Sequence, residues 1–239
     1  MSANLRDYHT QKNHNSKNKL VKTYNYKEKE CAFVILDSHL ARQHNGLQSM
    51  VGEIEQSLHE LTLACENYAK LCPDGNPFFN DFDKNDLNQL LLKNIYVASI
   101  MAYGKCFTTA NRRLKKIENP QIRRVLSEEE FKYHEHVISL RDNWAAHGGL
   151  SDNEHDYTVL VFNPDPELGG CIRTEISTRY IPSSIEFQKL KNITQKLLEL
   201  CKNLRTKKFA LLLEETNSLD QKKLREDAIY EIEIHNLYP

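Results

Sequence analysis

Four side chains within seven residues are of the types needed to move a proton beside an anion: Arg141, Asp142, Asn143 and His147. A guanidinium is a permanent cation whose planar fork matches the oxygens of a phosphate. An imidazole, with an ordinary pKa of ~6.5, both takes and gives a proton near neutrality. A neighbouring carboxylate and amide supply hydrogen bonds that orient either group. The same stretch, Leu140 to Gly149, holds the chain's only tryptophan, Trp144, and ends in the glycine pair Gly148-Gly149. Trp144 reads either as a core anchor or as a platform for stacking a base. An arginine followed at this distance by a histidine is expected about once by chance in such a chain, so context carries the weight. Arg141 falls on the apolar face of its helix, and a buried arginine is costly unless it is paired or aimed at an anion. The structural alternative is that Arg141 pairs with a core carboxylate and His147 complements the helix C-terminus. Six residues of α-helix rotate roughly 600°, so Arg141 and His147 lie about 120° apart and ~9 Å along the axis. One straight helix does not bring them together. Either the last turn unwinds, or an arginine and a histidine from each of two copies share a cleft.

The element that carries them starts at a capping box, with Ser127 as N-cap and Glu130 at the third helical position. Phe131, His134, Val137, Ile138, Arg141, Trp144 and Ala145 share one face by the three-and-four rule, and Gly148 or Gly149 supplies the left-handed stop. Three other helices are expected to frame it. The first begins near Cys31 and ends at Cys72, with a heptad-like seam of Leu47, Val51, Ile54, Leu58, Leu61, Cys65, Tyr68 and Cys72. A loop over Pro73–Pro77 ends it. The second is capped by Asp83, has Asp86 in its first turn and runs to about Glu118, before Pro120. Its apolar stripe reads as Leu87, Leu91, Ile95, Ala98, Ala102, Cys106 and Thr109. The last starts at a second capping box, Ser183 with Glu186, and extends to about Glu215, with Phe187, Leu190, Ile193, Leu197, Cys201 and Leu204 inward. Between them, Tyr157–Phe162 and the period-two run after Cys171 predict a β-hairpin inserted at about 156–181. The expected fold is mainly α, a four-helix up-and-down bundle over 30–216 with that hairpin inserted. Residues 1–29 read as a polar, basic, loosely packed arm, either solvated or binding RNA or a partner. Residues 217–239 read as a tail or a short docked helix.

Composition limits the classes of function. With 8 glycines and 7 prolines in 239 residues, long helices are favoured over a many-turned β fold. Net charge is −1, so any nucleic-acid contact must come from a local patch. The candidate is Arg112, Arg113, Lys115, Lys116, Arg123 and Arg124; its alternative is favourable charge at a helix C-terminus plus a solvated loop. Six cysteines lie scattered without a C-x-x-C pair and read as reduced thiols. His134 and His136 are about 200° apart on a helix and do not share an ion, and no H-E-x-x-H occurs, so no metal and no cofactor is expected. Neither a phosphate-binding glycine loop nor a G-x-S-x-G elbow is present. No apolar run reaches the ~20 residues of a membrane span, and the N-terminus lacks an apolar leader core; a cytoplasmic protein that does not bind membranes is expected.

A capped helix ending Leu140-Arg141-Asp142, then Ala146-His147, resembles the HEPN superfamily, whose signature is Arg, four to six residues, His, with a polar residue directly after the Arg. The resemblance to its abortive-infection and toxin–antitoxin members covers roughly residues 40–213, with the motif confined to seven positions. It implies a metal-independent endoribonuclease acting as a homodimer in toxin–antitoxin or anti-phage defence, with RNA as substrate and an antitoxin or regulatory protein as a possible partner. Carried over, His147 is the general acid/base, Arg141 holds the scissile phosphate, Asp142 orients Arg141 or His147, and Asn143 fixes the tautomer of His147. Some members have lost catalysis, so the alternative is a non-catalytic helical module that binds RNA or another protein.

Overall fold

The computed structural model describes residues 8–14, 20–72, 87–108, 116–145, 155–162, 164, 170–177 and 182–233. The chain is mainly helical, with small antiparallel sheets, and divides into two compact units: Arg42–Lys208, and a second made of Met1–Ala41 with Phe209–Pro239.

The smaller unit contains strands β1 (Tyr8–His14), β2 (Leu20–Tyr26) and β3 (Lys29–Cys31) in that order, all antiparallel, with β6 (Ile232–Glu233) also pairing with β2. This departs from the loosely packed arm that composition predicts. Val21 and Thr23, two apart on β2, are buried together with Ile232, giving the sheet a small core despite the surrounding lysines and asparagines. Lys27 and Glu28 both have positive φ, 45° and 65°, and join Tyr26 to its partner Lys29 as a two-residue turn. Phe33 and Ile229 exchange backbone hydrogen bonds of 2.7 and 2.9 Å, and α6 (Gln221–Glu226) comes directly after the cap Asp220.

The larger unit holds the main core. Helix α1 spans His39–Leu71, α2 Leu87–Lys105, α3 Asn119–Arg123, α4 Glu128–Leu140 and α5 Ser184–Ser218. The start of α1 is eight residues later than Cys31, because Cys31 ends β3, Phe33 bridges to Ile229, and the Ser38 hydroxyl accepts the Ala41 N–H at 3.2 Å as an N-cap. Leu47, Val51, Ile54, Leu61, Tyr68 and Cys72 are buried along one seam, and Leu58 and Cys65 pack beside them. Phe187, Leu190, Ile193, Leu197 and Cys201 face the same core from α5. Both capping boxes form: Ser127 N–H donates to the Glu130 carboxylate at 2.7 Å and Ser183 N–H to that of Glu186 at 2.8 Å.

Helix α2 buries only part of the predicted stripe: Cys106 is buried and Ile95 packs against the core, but the main buried face is another. Leu92, Tyr96, Ser99, Ile100 and Tyr103 are inside, whereas Leu87 and Leu91 are exposed. Aliphatic and aromatic residues occur on every side of this helix, so periodicity alone leaves the register open, and the large tyrosines take the core. It also ends at Lys105, well before Glu118. Pro120 opens α3, its missing N–H harmless in a first turn, under a capping box of Glu118 and Gln121. Strands β4 (His155–Phe162) and β5 (Gly170–Ser177) pair antiparallel, His155 opposite Ser177 and Phe162 opposite Gly170. The expected cap Asp83 and first-turn Asp86, the Pro73–Pro77 loop, Thr109 and the Gly148-Gly149 stop lie outside the described residues. No helix among the described residues is long and apolar enough to cross a membrane.

Candidate active site

Helix α4 is anchored at its start. The Glu130 carboxylate, besides closing the Ser127 box, receives Lys196 of α5 at 2.7 Å. The hydrogen bond from Lys196, with those from Ser127, holds the Glu130 carboxyl below its usual range. Phe131, His134 and Val137 then bury along the inner face at three-residue steps. His134 is 2% exposed, and its Nδ1 shares a 3.0 Å hydrogen bond with the Tyr103 hydroxyl of α2. Desolvation lowers its pKa to about 4, so the ring is neutral near pH 7.

At Arg141 the helix changes pitch. Residues Arg141–Ala145 form a π turn, which takes more residues per turn than the α-helix and so rotates its side chains out of step with those of α4. The Arg141 stem crosses Gly104 of α2 so closely that a Cβ built on Gly104 would stand 2.5 Å from Arg141 Cδ and 2.9 Å from Cγ. Gly104 is therefore a groove for the arginine. The guanidinium donates from Nη1 to Asp142 Oδ1 at 2.7 Å. Neighbours in a helix normally diverge, so this pair requires the long arginine to fold back over the turn. Its Nε is buried and has no hydrogen-bond partner among the described residues. A buried donor left without an acceptor costs about 1–3 kcal/mol, more when charged. The Arg141 side chain remains 21% exposed, so the cation is sheltered but reachable.

The Asn143 amide donates to Ser139 Oγ at 3.1 Å, one turn back. Beside Asp142 and Asn143 opens a cavity of about 510 Å³. Phe107, Ile138 and the His134 ring provide its apolar wall; Asn119, Glu135, Ser139, Asp142 and Asn143 provide its polar rim.

The structure thus brings Arg141 into contact with Asp142 and puts Asn143 on the same cavity as Asp142. His147 lies outside the described residues, as does the side chain of Trp144, and with them the relation of Asn143 to His147. Of the basic patch, Arg112, Arg113 and Lys115 lie outside as well. Arg123 is engaged locally: it pairs with Glu128 at 3.2 Å and stacks 4.6 Å from the Phe131 ring centre. Lys116 pairs with Glu118 at 3.6 Å. Arg124 is exposed. Gly104, Tyr103, Phe107, Glu135, Ser139 and Asn119 are missed by motif reading. The one available signal is Gly104, since an isolated glycine inside a helix costs ~1 kcal/mol and marks a close approach. Among the described residues no group of three or more His, Cys, Asp or Glu is placed to hold a metal ion. None of the six cysteines is in a disulfide, and Cys72, Cys106 and Cys201 are buried. Comparison with family models, with curated proteins and with solved structures gives no match.

Proposed function

We propose that the chain is a HEPN-like endoribonuclease, a four-helix bundle that works as a cytoplasmic homodimer in toxin–antitoxin or anti-phage defence. The observation that carries this reading is Arg141: a guanidinium seated in a glycine groove, tied to Asp142 and holding a buried N–H without an acceptor among the described residues. Such a group is pre-oriented for an anion before any substrate arrives, which is how electrostatic stabilisation of a transition state avoids reorganisation. In this reading the 2′-hydroxyl of RNA attacks the adjacent phosphorus, losing its proton to one imidazole. The P–O5′ bond breaks and the leaving 5′-oxygen takes a proton. The products are a 2′,3′-cyclic phosphate and a 5′-hydroxyl. His147 exchanges the protons, and Arg141 neutralises the extra charge on the phosphorane oxygens. Asp142 holds Arg141 in place. In this reading the working pair forms across two copies of the chain, the arrangement suited to an arginine and a histidine whose α-helical spacing sets them about 120° apart.

The competing reading, a non-catalytic module that binds RNA or a protein, is favoured by the α-helical spacing that sets Arg141 and His147 apart and by the net charge of −1. Expression of wild type, Arg141→Ala and His147→Ala in a bacterial host separates the two. The ribonuclease reading expects growth arrest and fragmented RNA with wild type only. Equal growth and intact RNA in all three would leave the non-catalytic module.

A further inference from the structure

The 510 Å³ cavity beside Asp142 is of ligand-binding size and combines two kinds of wall. Phe107, whose ring is tilted 56° to that of His134 with the centres 4.7 Å apart, and Ile138 supply its apolar lining. The same cavity is lined by a row on α4 and the π turn, Glu135, Ser139 and Asp142, at the three- and four-residue steps that align one helical face. Glu135 and Asp142 are seven residues apart, roughly 10 Å along the axis, so they do not share one cation. Two carboxylates also repel a phosphate. Asp142 is committed to Arg141, while Glu135 makes no ion pair among the described residues. An apolar lining, a carboxylate and a hydroxyl together fit a planar heterocycle with adjacent N–H donors on one edge and acceptors on another.

We infer that this cavity is a subsite for a guanine base, with Glu135 accepting its N1–H and N2–H. Among the four RNA bases, guanine alone offers two adjacent N–H groups on neighbouring nitrogens to one carboxylate. Uracil presents two carbonyl oxygens around its single N–H and is repelled. Ser139 already accepts from Asn143, which leaves its own O–H to donate to the guanine O6 or N7. Phe107 supplies the stacking face. The inference rests on the ribonuclease reading for its biological setting: a base held here sits next to Asp142, and Asp142 holds the arginine assigned to the phosphate.

Titration calorimetry of the full chain with 5′-GMP, AMP, CMP and UMP tests it, since the phosphate and sugar are common and only the base differs. GMP is expected to bind about tenfold or more tighter than UMP, the discrimination of one bidentate contact. Glu135→Gln should abolish that preference, weakening GMP by removing an acceptor and strengthening UMP by removing the repulsion of its carbonyl oxygens. Phe107→Leu should weaken all four together. Circular dichroism confirms that each variant is folded. Equal affinity for the four nucleotides, a preference for another base, or no binding of any at millimolar concentration overturns the assignment. RNA cleavage without guanine preference would remove this subsite and leave the ribonuclease reading. GMP preference in a chain that cleaves no RNA would do the reverse.

Discussion

Replacing Gly104 with alanine perturbs the arginine without touching any charged group. Position 104 has ordinary helical geometry, so alanine alone should favour α2 by ~1 kcal/mol. The new Cβ, however, would sit 2.5 Å from Arg141 Cδ, where ordinary contact begins at 3.4 Å. The clash falls on the middle of the side chain, not its free end, so the stem must swing aside by about 1 Å. Overpacking of this kind costs about 1–3 kcal/mol, and net destabilisation of roughly 0–2 kcal/mol is expected. The functional loss should be larger. A misplacement of ~1 Å at a group that holds the reacting phosphate costs on the order of 100-fold in rate. Gly52→Ala is the control, because a Cβ there meets nothing within 4 Å. It should stabilise α1 by up to ~1 kcal/mol and leave function alone. Urea unfolding gives the stability, the Nε–Hε NMR signal of Arg141 reports its environment, and RNA cleavage gives the rate. A Gly104→Ala protein with wild-type cleavage and an unshifted Arg141 signal would refute the cradle.

The buried histidine, the α4 cap and the basic patch each give a further expected outcome. His134 is neutral in the fold and takes a proton only at about pH 4, whereas the unfolded chain takes one near its ordinary value of 6.5. Stability should therefore fall as pH drops through that window, by about 3 kcal/mol in full, and urea melts of His134→Gln should show a flatter profile by a comparable amount. Ser127→Ala removes the α4 cap and should cost ~1 kcal/mol in urea unfolding, as a cap substitution does; no change would show that the box contributes nothing. In RNA-binding titrations, Arg124→Ala should weaken binding and lower the salt slope by about 1, while Arg123→Ala, already engaged by Glu128 and Phe131, should leave the slope unchanged.

The legible parts of the fold are those where one face of a helix is apolar and the other is not. The seams of α1 and α5 and the Ser127 and Ser183 boxes are read directly from spacing, because local hydrogen bonds and a single buried stripe determine them. Helix α2 is illegible in register because Leu87, Leu91 and Ile95 compete with Leu92, Tyr96 and Tyr103, and tertiary packing against α4 and Phe187 of α5 selects the tyrosines. The N-terminal sheet is hidden by its turn, which uses Lys27 and Glu28 at positive φ in place of the usual glycine or asparagine. At the site, a polar residue after Arg141 is visible in sequence and their ion pair is found. The groove at Gly104 and the cavity walls from Phe107 and Asn119 are tertiary, made by chain distant from the motif, and no local pattern encodes them.

The most direct test of arginine-assisted RNA cleavage is end-group analysis of RNA incubated with purified wild type and Arg141→Ala in excess EDTA. Fragments ending in 2′,3′-cyclic phosphate and beginning with 5′-hydroxyl are expected from wild type, and none from the variant. Intact RNA with wild type, or the same fragments from both proteins, would contradict the assignment of Arg141 to the scissile phosphate.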